Sequence, residues 1–503
     1  MTVVLEVEGE NDGKVTLKGL WTQYAVTFVV NLGAFSIGTL LGWTSQAVPN
    51  LKSESSVIKL TDNELSWIAG FMPLGAAFSG VPVLVVMKHL GRKLTLLSVV
   101  PFYVLGFCLL AWANNVDMFY AGRFITGMSG GAFSIISPLY TAEIGEKRIR
   151  GSLGTYYEFM LAVGVEFSYI VGGYVSVFWL CLTSGAIPVV FACIFVFMPE
   201  TPYHLVSQGE KAREASNGAH GGDSDGKTEE AVKSLKFLRG TNKVDGELEE
   251  IRKFVNESKT KNFSWRVLKS RAAIKSVLIG FWLMVFQQFG GANAVVFNAT
   301  TIFQEAGSTL EPSKATMVVG FMQFGGNFLS MLLIDRLGRR ILLLLSGTVM
   351  GTCTLLLGFY FHWLSNNENV DKVKWLPLLC LCLFMIMFSI GWGPVAWMML
   401  GEIFDTEIKS VASSFCCATN WIATFLVTRK SGCKNTCSKL IDAYFGDLIV
   451  AFGQDWTFWL FTVVSALGVA FVYFLVPETK GKTLEEIQRD LTGIENKGFD
   501  VDS

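Results

Sequence analysis

The sequence predicts an all-α integral membrane protein with twelve transmembrane helices in two six-helix bundles. Three observations predict it: low charge content, a series of long charge-free runs, and motifs that recur in the same order in each half. Of the 503 residues, 51% are hydrophobic and 17% charged, against about a quarter charged in an ordinary soluble protein. No Asp, Glu, Lys or Arg occurs between Lys18 and Lys52, Glu64 and Lys88, Lys93 and Asp117, or Arg123 and Glu143. The same holds between Lys275 and Glu305, Arg340 and Glu368, Lys374 and Glu402, Lys409 and Arg429, and Asp455 and Glu478. About 20 apolar residues cross the hydrocarbon core, so each run holds one span. The run from Glu166 to Glu200 is too long for one helix, and Gly172-Gly173 marks a turn inside it. The expected spans are 22–47, 65–86, 94–112, 117–141, 153–174, 178–198, 273–303, 313–334, 341–362, 376–400, 410–428 and 456–476.

Lys and Arg in short connections set the orientation. Lys88, Arg92, Lys93, Lys147, Arg148, Arg150, Arg336, Arg339 and Arg340 fall on one side, and the connections after spans three, five and seven carry no Lys or Arg. The basic side is therefore expected in the cytoplasm with both termini, in a multi-pass plasma-membrane protein surrounded by lipid bilayer. The acidic start MTVVLEVEGEND lacks the basic and apolar regions of a signal peptide. A net charge of −1 points to no nucleic-acid partner. No His/Cys cluster has metal-ligand spacing, and no cofactor or oligomer beyond a monomer is implied. Cysteines 108, 181, 193, 353, 380, 382, 416 and 417 lie in apolar runs and read as buried adaptable hydrophobes.

Residues 199–271 are the one long hydrophilic interior stretch. Its SNGAHGGDSDGKTEE portion reads as a mobile linker, flanked by AVKSLKFLRG and GELEEIRKFV as short amphipathic helices at the membrane surface. The expected organisation is a tail (1–20), a first bundle (21–198), this linker (199–271), a second bundle (272–476) and a tail (477–503). The halves echo each other: KHLGRK (88–93) with DRLGRR (335–340), EIGEKRIRG (143–151) with EIFDTEIKS (402–410), and PETP (199–202) with PETK (477–480). Parallel six-span repeats build two-bundle secondary transporters. The second half also carries an insert, KSGCKNTCSKLIDA (430–443). There Cys433 and Cys437 are placed to form a small disulfide loop outside the cell; a splice or gene-model artefact accounts for the insert equally.

In chain order, GRK and DRLGRR, GRFITG, PLYTAEI with its following RG, PETP, QQFGGANAVVF, GWGPVAWMMLGEIF, NW and PETKG run from about residue 20 to 490. Together they resemble the sugar porter family of the major facilitator superfamily, with particular likeness to insect trehalose transporters in LGWTSQAVPNL, MQF and DLIVAFGQDWTFWLF. A sugar needs hydrogen bonds from neutral groups, which buried amides supply without the desolvation cost of a charge. Gln287, Gln288 and Asn293 fall within seven residues of span seven, around Gly290-Gly291. They either line a cavity or glue helices together. The resemblance implies that these three bind sugar, with Gln323, Trp397 and Asn420 as further contacts. It places Glu158 where relatives carry a sugar-binding Gln. Glu166 is a second carboxylate in the same span, and an ionisable group at membrane depth is a functional candidate. Phe297 and Asn298 stand at the outer gate where relatives have two tyrosines, and Gly391, Gly393 and Pro394 loosen span ten as a gate. Ala396 and Ser389 replace a Pro and a Glu. Asn298-Ala-Thr300 is formally a glycosylation sequon, but at membrane depth it is not expected to be used.

At the basic side the resemblance implies a salt-bridge network that holds the bundles together when the cavity opens outward. Its members here are Arg92, Lys93, Glu143, Arg150 and Glu200 in the first half. Asp335, Arg339, Arg340, Glu402, Lys409 and Glu478 belong to the second. Lys88 in place of an Asp and Tyr203 in place of an Arg weaken that network. The chain carries no GxxxxGK[ST] loop and no catalytic constellation, so it is read as a transporter driven by gradients and not as an enzyme. The expected function is facilitative transport of a small sugar, trehalose or a hexose such as glucose. Proton-coupled relatives carry an Asp in span one where this chain has Thr44, which favours passive facilitation. Two alternatives stand: a proton-coupled symporter using Glu158, and a non-transporting sensor of the same fold, against which the short tail after Lys482 argues.

Overall fold

The computed structural model describes residues 17–52, 58–146, 149–215, 222–260, 270–307, 310–366, 368, 370–404, 408–428, 453–482 and 484–492. Regular structure among them is helical, as hydrocarbon demands, because a helix satisfies its backbone N–H and C=O groups within itself. Span one is α1 (Leu17–Val30) and α2 (Leu32–Lys52), joined without a lost bond because Asn31 N donates to Thr27 O and Phe35 N to Asn31 O. Then come α3 (Asp62–Phe78), α4 (Gly80–Ala111), α5 (Val116–Ile144), α6 (Arg150–Tyr174) and α7 (Val177–Phe195). Within α4 Gly91 breaks the helix, so that the second span ends there and the third begins. After α8 (Pro202–Ala215), α9 (Gly222–Arg239) and α10 (Asp245–Thr260), the second half opens with α11 (Arg271–Phe289) and α12 (Ala292–Glu305). It continues with α13 (Pro312–Leu337), α14 (Arg339–Ser365), α15 (Leu376–Ile390), α16 (Trp392–Ile403), α17 (Lys409–Thr428), α18 (Gln454–Leu475) and α19 (Leu484–Thr492).

Among the described residues, nine stretches are long and apolar enough to cross a membrane. The remaining expected spans are helical too: the second is divided between α3 and the start of α4, and α5 and α6 are the fourth and fifth. Trp21, Val81, Phe102, Trp179, Phe197, Phe321, Ile341, Val463 and Phe474 stand exposed on the outer surface. Apolar surface on this scale is stable against lipid tails and unstable against water.

The two halves turn alike at one end. Gly91 (φ +85) and Gly338 (φ +88) sit between the second and third helices of their halves, in a backbone region open almost only to glycine. In the first half the carboxylate of Glu200 accepts from the N–H groups of Arg92 (3.3 Å) and Lys93 (3.0 Å). In the second, Glu478 accepts from those of Arg339 and Arg340, both at 3.0 Å. Each carboxylate thus caps the positive start of the following helix. The paired motifs read from the sequence are one device built twice.

Three expectations need correction. The turn after span five lies at Val175-Ser176, because α6 runs through Gly172 and Gly173 to Tyr174. The segment expected to be a mobile linker is helical from Gly222 onward, and α8 adds a helix directly after PETP. The amphipathic helices of this region also bury their apolar faces against one another: Leu205 and Val206 of α8 pack with Ala231 and Leu235 of α9 and Leu248, Ile251 and Val255 of α10. Among the described residues eight cysteines are free thiols; Cys433, Cys437 and the 430–443 insert lie outside them.

A Cβ on Gly338 would stand 2.8 Å from Glu478 Oε2, on top of about 1–3 kcal/mol of backbone strain. Gly338→Ala should therefore lower the melting temperature of the detergent-solubilised protein by several degrees. Gly325→Ala, inside α13, where nothing lies within 4 Å, should not.

Candidate functional site

Between the halves lies a cavity of about 390 Å³, lined from α6 by Glu158 and Tyr157, from α13 by Gln323, and from α11, α12, α16 and α17 by the second half. Two broken spans shape it. In span seven the helix stops at Phe289 and restarts at Ala292 through Gly291 (φ +92), where a Cβ would stand 2.9 Å from the ring of Phe461. In span ten it breaks at Gly391 (φ −120, ψ −87). Pro394 has no N–H for the Ile390 carbonyl four residues back, and Ser330 Oγ donates to that carbonyl instead at 3.2 Å.

The breaks let four carboxamides join. Gln287 Nε2 donates to the carbonyls of Trp392 (2.8 Å) and Gly393 (3.0 Å), and its Oε1 accepts from Asn420 Nδ2 at 2.7 Å. Gln288 Nε2 donates to Asn420 Oδ1 at 2.9 Å and its Oε1 accepts from Asn293 Nδ2 at 2.5 Å. Asn293 Nδ2 also reaches Thr424 Oγ1 at 3.4 Å. The expected contacts Gln287, Gln288, Asn293, Gln323, Trp397, Asn420 and Glu158 therefore all line one cavity. The gate positions divide. Gly393 and Pro394 line the cavity, Phe297 is buried at 2% exposure, and Asn298 Nδ2 donates to Ala294 O at 3.0 Å within α12. Asn298 in mid-helix and Thr300, 3% exposed, leave the sequon no room for a glycan.

The cavity opens toward the end that carries the basic motifs. Gly154 and Gly401 line it there, both exposed, and a Cβ at either position would meet nothing within 4 Å. At the opposite end the halves meet. Tyr169 OH donates to Val296 O at 2.7 Å, and Ser45 Oγ, Thr300 Oγ1 and Thr316 Oγ1 form a chain at 3.2 and 3.0 Å. The carboxylate of Glu166 packs against Gly320 of α13, and both its oxygens are buried without a hydrogen-bond partner.

At the basic end each half closes on itself. Arg92 pairs with Glu143 (2.8 Å) and Arg339 with Glu402 (3.1 Å); among the described residues no ion pair there joins one half to the other. Lys409 Nζ donates to Gly401 O at 2.7 Å. The side chains of Arg150 and Asp335 lie outside the description. His204, which sequence reasoning passed over, accepts from Arg92 Nη1 through Nδ1 at 2.8 Å. Burial, and then the neighbouring Arg92, Lys211 and Lys227, pull its pKa down to about 4. Burial pushes Glu200 the other way, above the ordinary carboxylate value, against the opposing effect of its backbone N–H bonds.

Arg123 entered the sequence reading only within GRFITG and as the end of a charge-free run, with no role of its own. It is fully buried in α5. Its guanidinium donates to the carbonyls of Ile68 and Leu40 (both 3.1 Å) and to Thr44 Oγ1 (2.9 Å) and lies 4.9 Å from the ring centre of Trp43. The signal was available: an ionisable residue a few positions inside a span.

Two outcomes follow from this geometry. Asn420→Ala strands Gln287 Oε1 and Gln288 Nε2 together, at about 1–3 kcal/mol for each buried unsatisfied group; the melting temperature should fall, with more loss than in Thr424→Ala. For His204, the unfolded chain takes up a proton between pH 6.5 and about 4 that the folded chain refuses. Stability present at neutral pH is therefore lost as pH falls through that window. Glu200 contributes with the opposite sign, so the test is a difference: the melting temperature of His204→Gln should drop less from pH 7 to pH 5 than that of wild type. Equal drops would contradict this assignment.

Comparisons with known proteins give the family and the fold. A family model described as sugar (and other) transporter matches residues 26–491. The chain is 37% identical over 475 residues to a facilitated trehalose transporter, Tret1, of Bombyx mori, covering 94% of this chain and 87% of that one. It is 34% identical over 479 residues to the Tret1 of Polypedilum vanderplanki, covering 94% and 89%. The proton:xylose symporter XylE of the major facilitator superfamily superposes with a TM-score of 0.73 over 94% of this chain and 100% of that chain, at 23% identity. That likeness establishes the shared fold.

Proposed function

Because this chain belongs to the sugar (and other) transporter family, we propose that it is a facilitative carrier of a neutral sugar, trehalose or a hexose such as glucose, working by alternating access. The observation that carries this reading is the carboxamide-lined cavity between the halves, open at one end and sealed at the other. Carboxamides offer donors and acceptors in equal number, which suits hydroxyl groups that are both. Trp397 supplies an apolar face for the C–H side of a sugar ring. The cavity volume lies inside the range of about 300–1,000 Å³ common to small-molecule sites. The relatives named as facilitated trehalose transporters support trehalose as the first sugar to try.

Net movement follows from rocking of the two bundles about the cavity. In the state described here Arg92–Glu143 and Arg339–Glu402 are clasps within each half. Closing the basic end would bring the two clasps face to face, where Lys93, Arg150, Glu200, Asp335, Arg340, Lys409 and Glu478 complete a network across the halves. The bundles are residues 21–198 and 272–476, joined by 199–271, with tails at 1–20 and 477–503. The basic end faces the cytoplasm with both termini, in the plasma membrane, by the distribution of Lys and Arg. A monomer suffices, since both walls of the cavity come from one chain.

Passive transport is favoured by Arg123. Its hydrogen bonds go to two carbonyls and the Thr44 hydroxyl, so the span-one position holds no titratable partner. The second reading, a proton-coupled symporter, rests on Glu158, a carboxylate in the wall of the cavity. Uptake of labelled trehalose and glucose in oocytes at external pH 5.5 and 7.5 separates the two. Saturable uptake equal at both values, in wild type and in Glu158→Gln, is expected. Uptake that rises at low pH and loses that dependence in Glu158→Gln would replace facilitation by symport. In the same assay Gln288→Ala should raise KM about tenfold, the loss of roughly 1.4 kcal/mol.

A further inference from the structure

A second chamber, of about 450 Å³, lies at the sealed end, beyond the gate layer of Ser45, Thr300 and Thr316. One wall comes from the first half, with Gln46 and Ser176, and the other from the second, with Thr300, Gln304 and Ser313. None of its lining residues is Asp, Glu, Lys or Arg, so its chemistry is that of neutral donors and acceptors. Gln46 stands out. It lines the chamber while only 3% exposed, and its Nε2 is buried with no hydrogen-bond partner, at a cost of about 1–3 kcal/mol.

We propose that this chamber is a second, vestibular binding site for a neutral polyhydroxylated ligand, with the Gln46 carboxamide as its anchor and the hydroxyls of Ser176, Thr300 and Ser313 and the amide of Gln304 around it. The proposal rests on the sugar-carrier reading and adds a site for sugar on the side that the central cavity has closed. The ligand class follows from the lining: amides and hydroxyls recognise hydroxyl groups, and no charge is present to select an ionic ligand. Because the two walls belong to different halves, the site exists only while this end is shut. A ligand there binds one state better than the other and, by linkage, holds the gate closed. Sugar at the vestibule therefore slows reopening toward its own side while the central cavity discharges at the other.

The test is calorimetric titration of the purified full-length protein with trehalose and, separately, glucose, in wild type and in a variant carrying Gln288→Ala with Asn293→Ala. The central-site variant should retain a weaker binding event. Adding Gln46→Leu, or adding Gln304→Ala at an exposed position that tolerates change, should weaken that event about three- to tenfold, as expected for one lost neutral hydrogen bond. Melting temperatures confirm that each variant is folded. If wild type binds sugar and the central-site variant binds none, the vestibular site is overturned and the carrier reading stands. Residual binding indifferent to both added substitutions overturns it as well. A wild type that binds neither sugar overturns both.

Discussion

Inside hydrocarbon there is no water to take up a spare hydrogen bond, and this constraint organises the interior of the molecule. Four carboxamides at membrane depth are tolerated because each completes another: Gln287 and Gln288 both use Asn420, and Gln288 also accepts from Asn293. The carbonyls of Trp392 and Gly393, in the first turn after the break in span ten, each accept a further bond from Gln287. The proline that opens that break is tolerated because Ser330 serves the carbonyl it abandons. A network satisfied in this way is rigid when empty. It offers a sugar ready-made partners at the cost of exchanging one neutral hydrogen bond for another. Arg123 obeys the same constraint with a full charge, solvated by backbone, hydroxyl and aromatic ring.

The same constraint separates the bonds within each half from those between the halves. Every charged group of the repeated motifs whose partner is described here finds it in its own half: Glu200 and Glu478 on helix starts, Glu143 and Glu402 on arginines. Contacts between halves are of another kind at the sealed end: hydroxyls, one tyrosine-to-carbonyl bond, the ring pair of Trp67 with Phe425, and the Glu166 carboxylate against Gly320. Such contacts are individually weak, and neutral ones leave no stranded charge when broken. Strong bonds within bundles and weak neutral ones between them are what a rocking carrier requires.

Much of this was legible in the sequence. Charge-free runs marked the spans because a charge at membrane depth is expensive, and the recurring GR, E and PET motifs marked the repeat because each serves a helix end. The amide trio of span seven stood out for the same reason. Other features were hidden because their partners lie far apart in the chain. Nothing local to Gln287 indicates that it reaches carbonyls more than a hundred residues away, or that Arg123 rests on Trp43. Helices α8 and α9 were missed or cut short because their composition is polar and glycine-bearing, and only their packing with α10 gives them an apolar face to bury. His204 has no local signal; its pKa is set by burial and by Arg92.

If the carboxamides around the two broken spans receive the sugar, an electron cryo-microscopy structure of the protein with trehalose or glucose bound is the most direct test. Sugar density is then expected within hydrogen-bonding distance of Gln288, Asn293 and Asn420, with a ring against Trp397. Sugar density elsewhere, with this amide network unchanged and its cavity empty, would contradict that role.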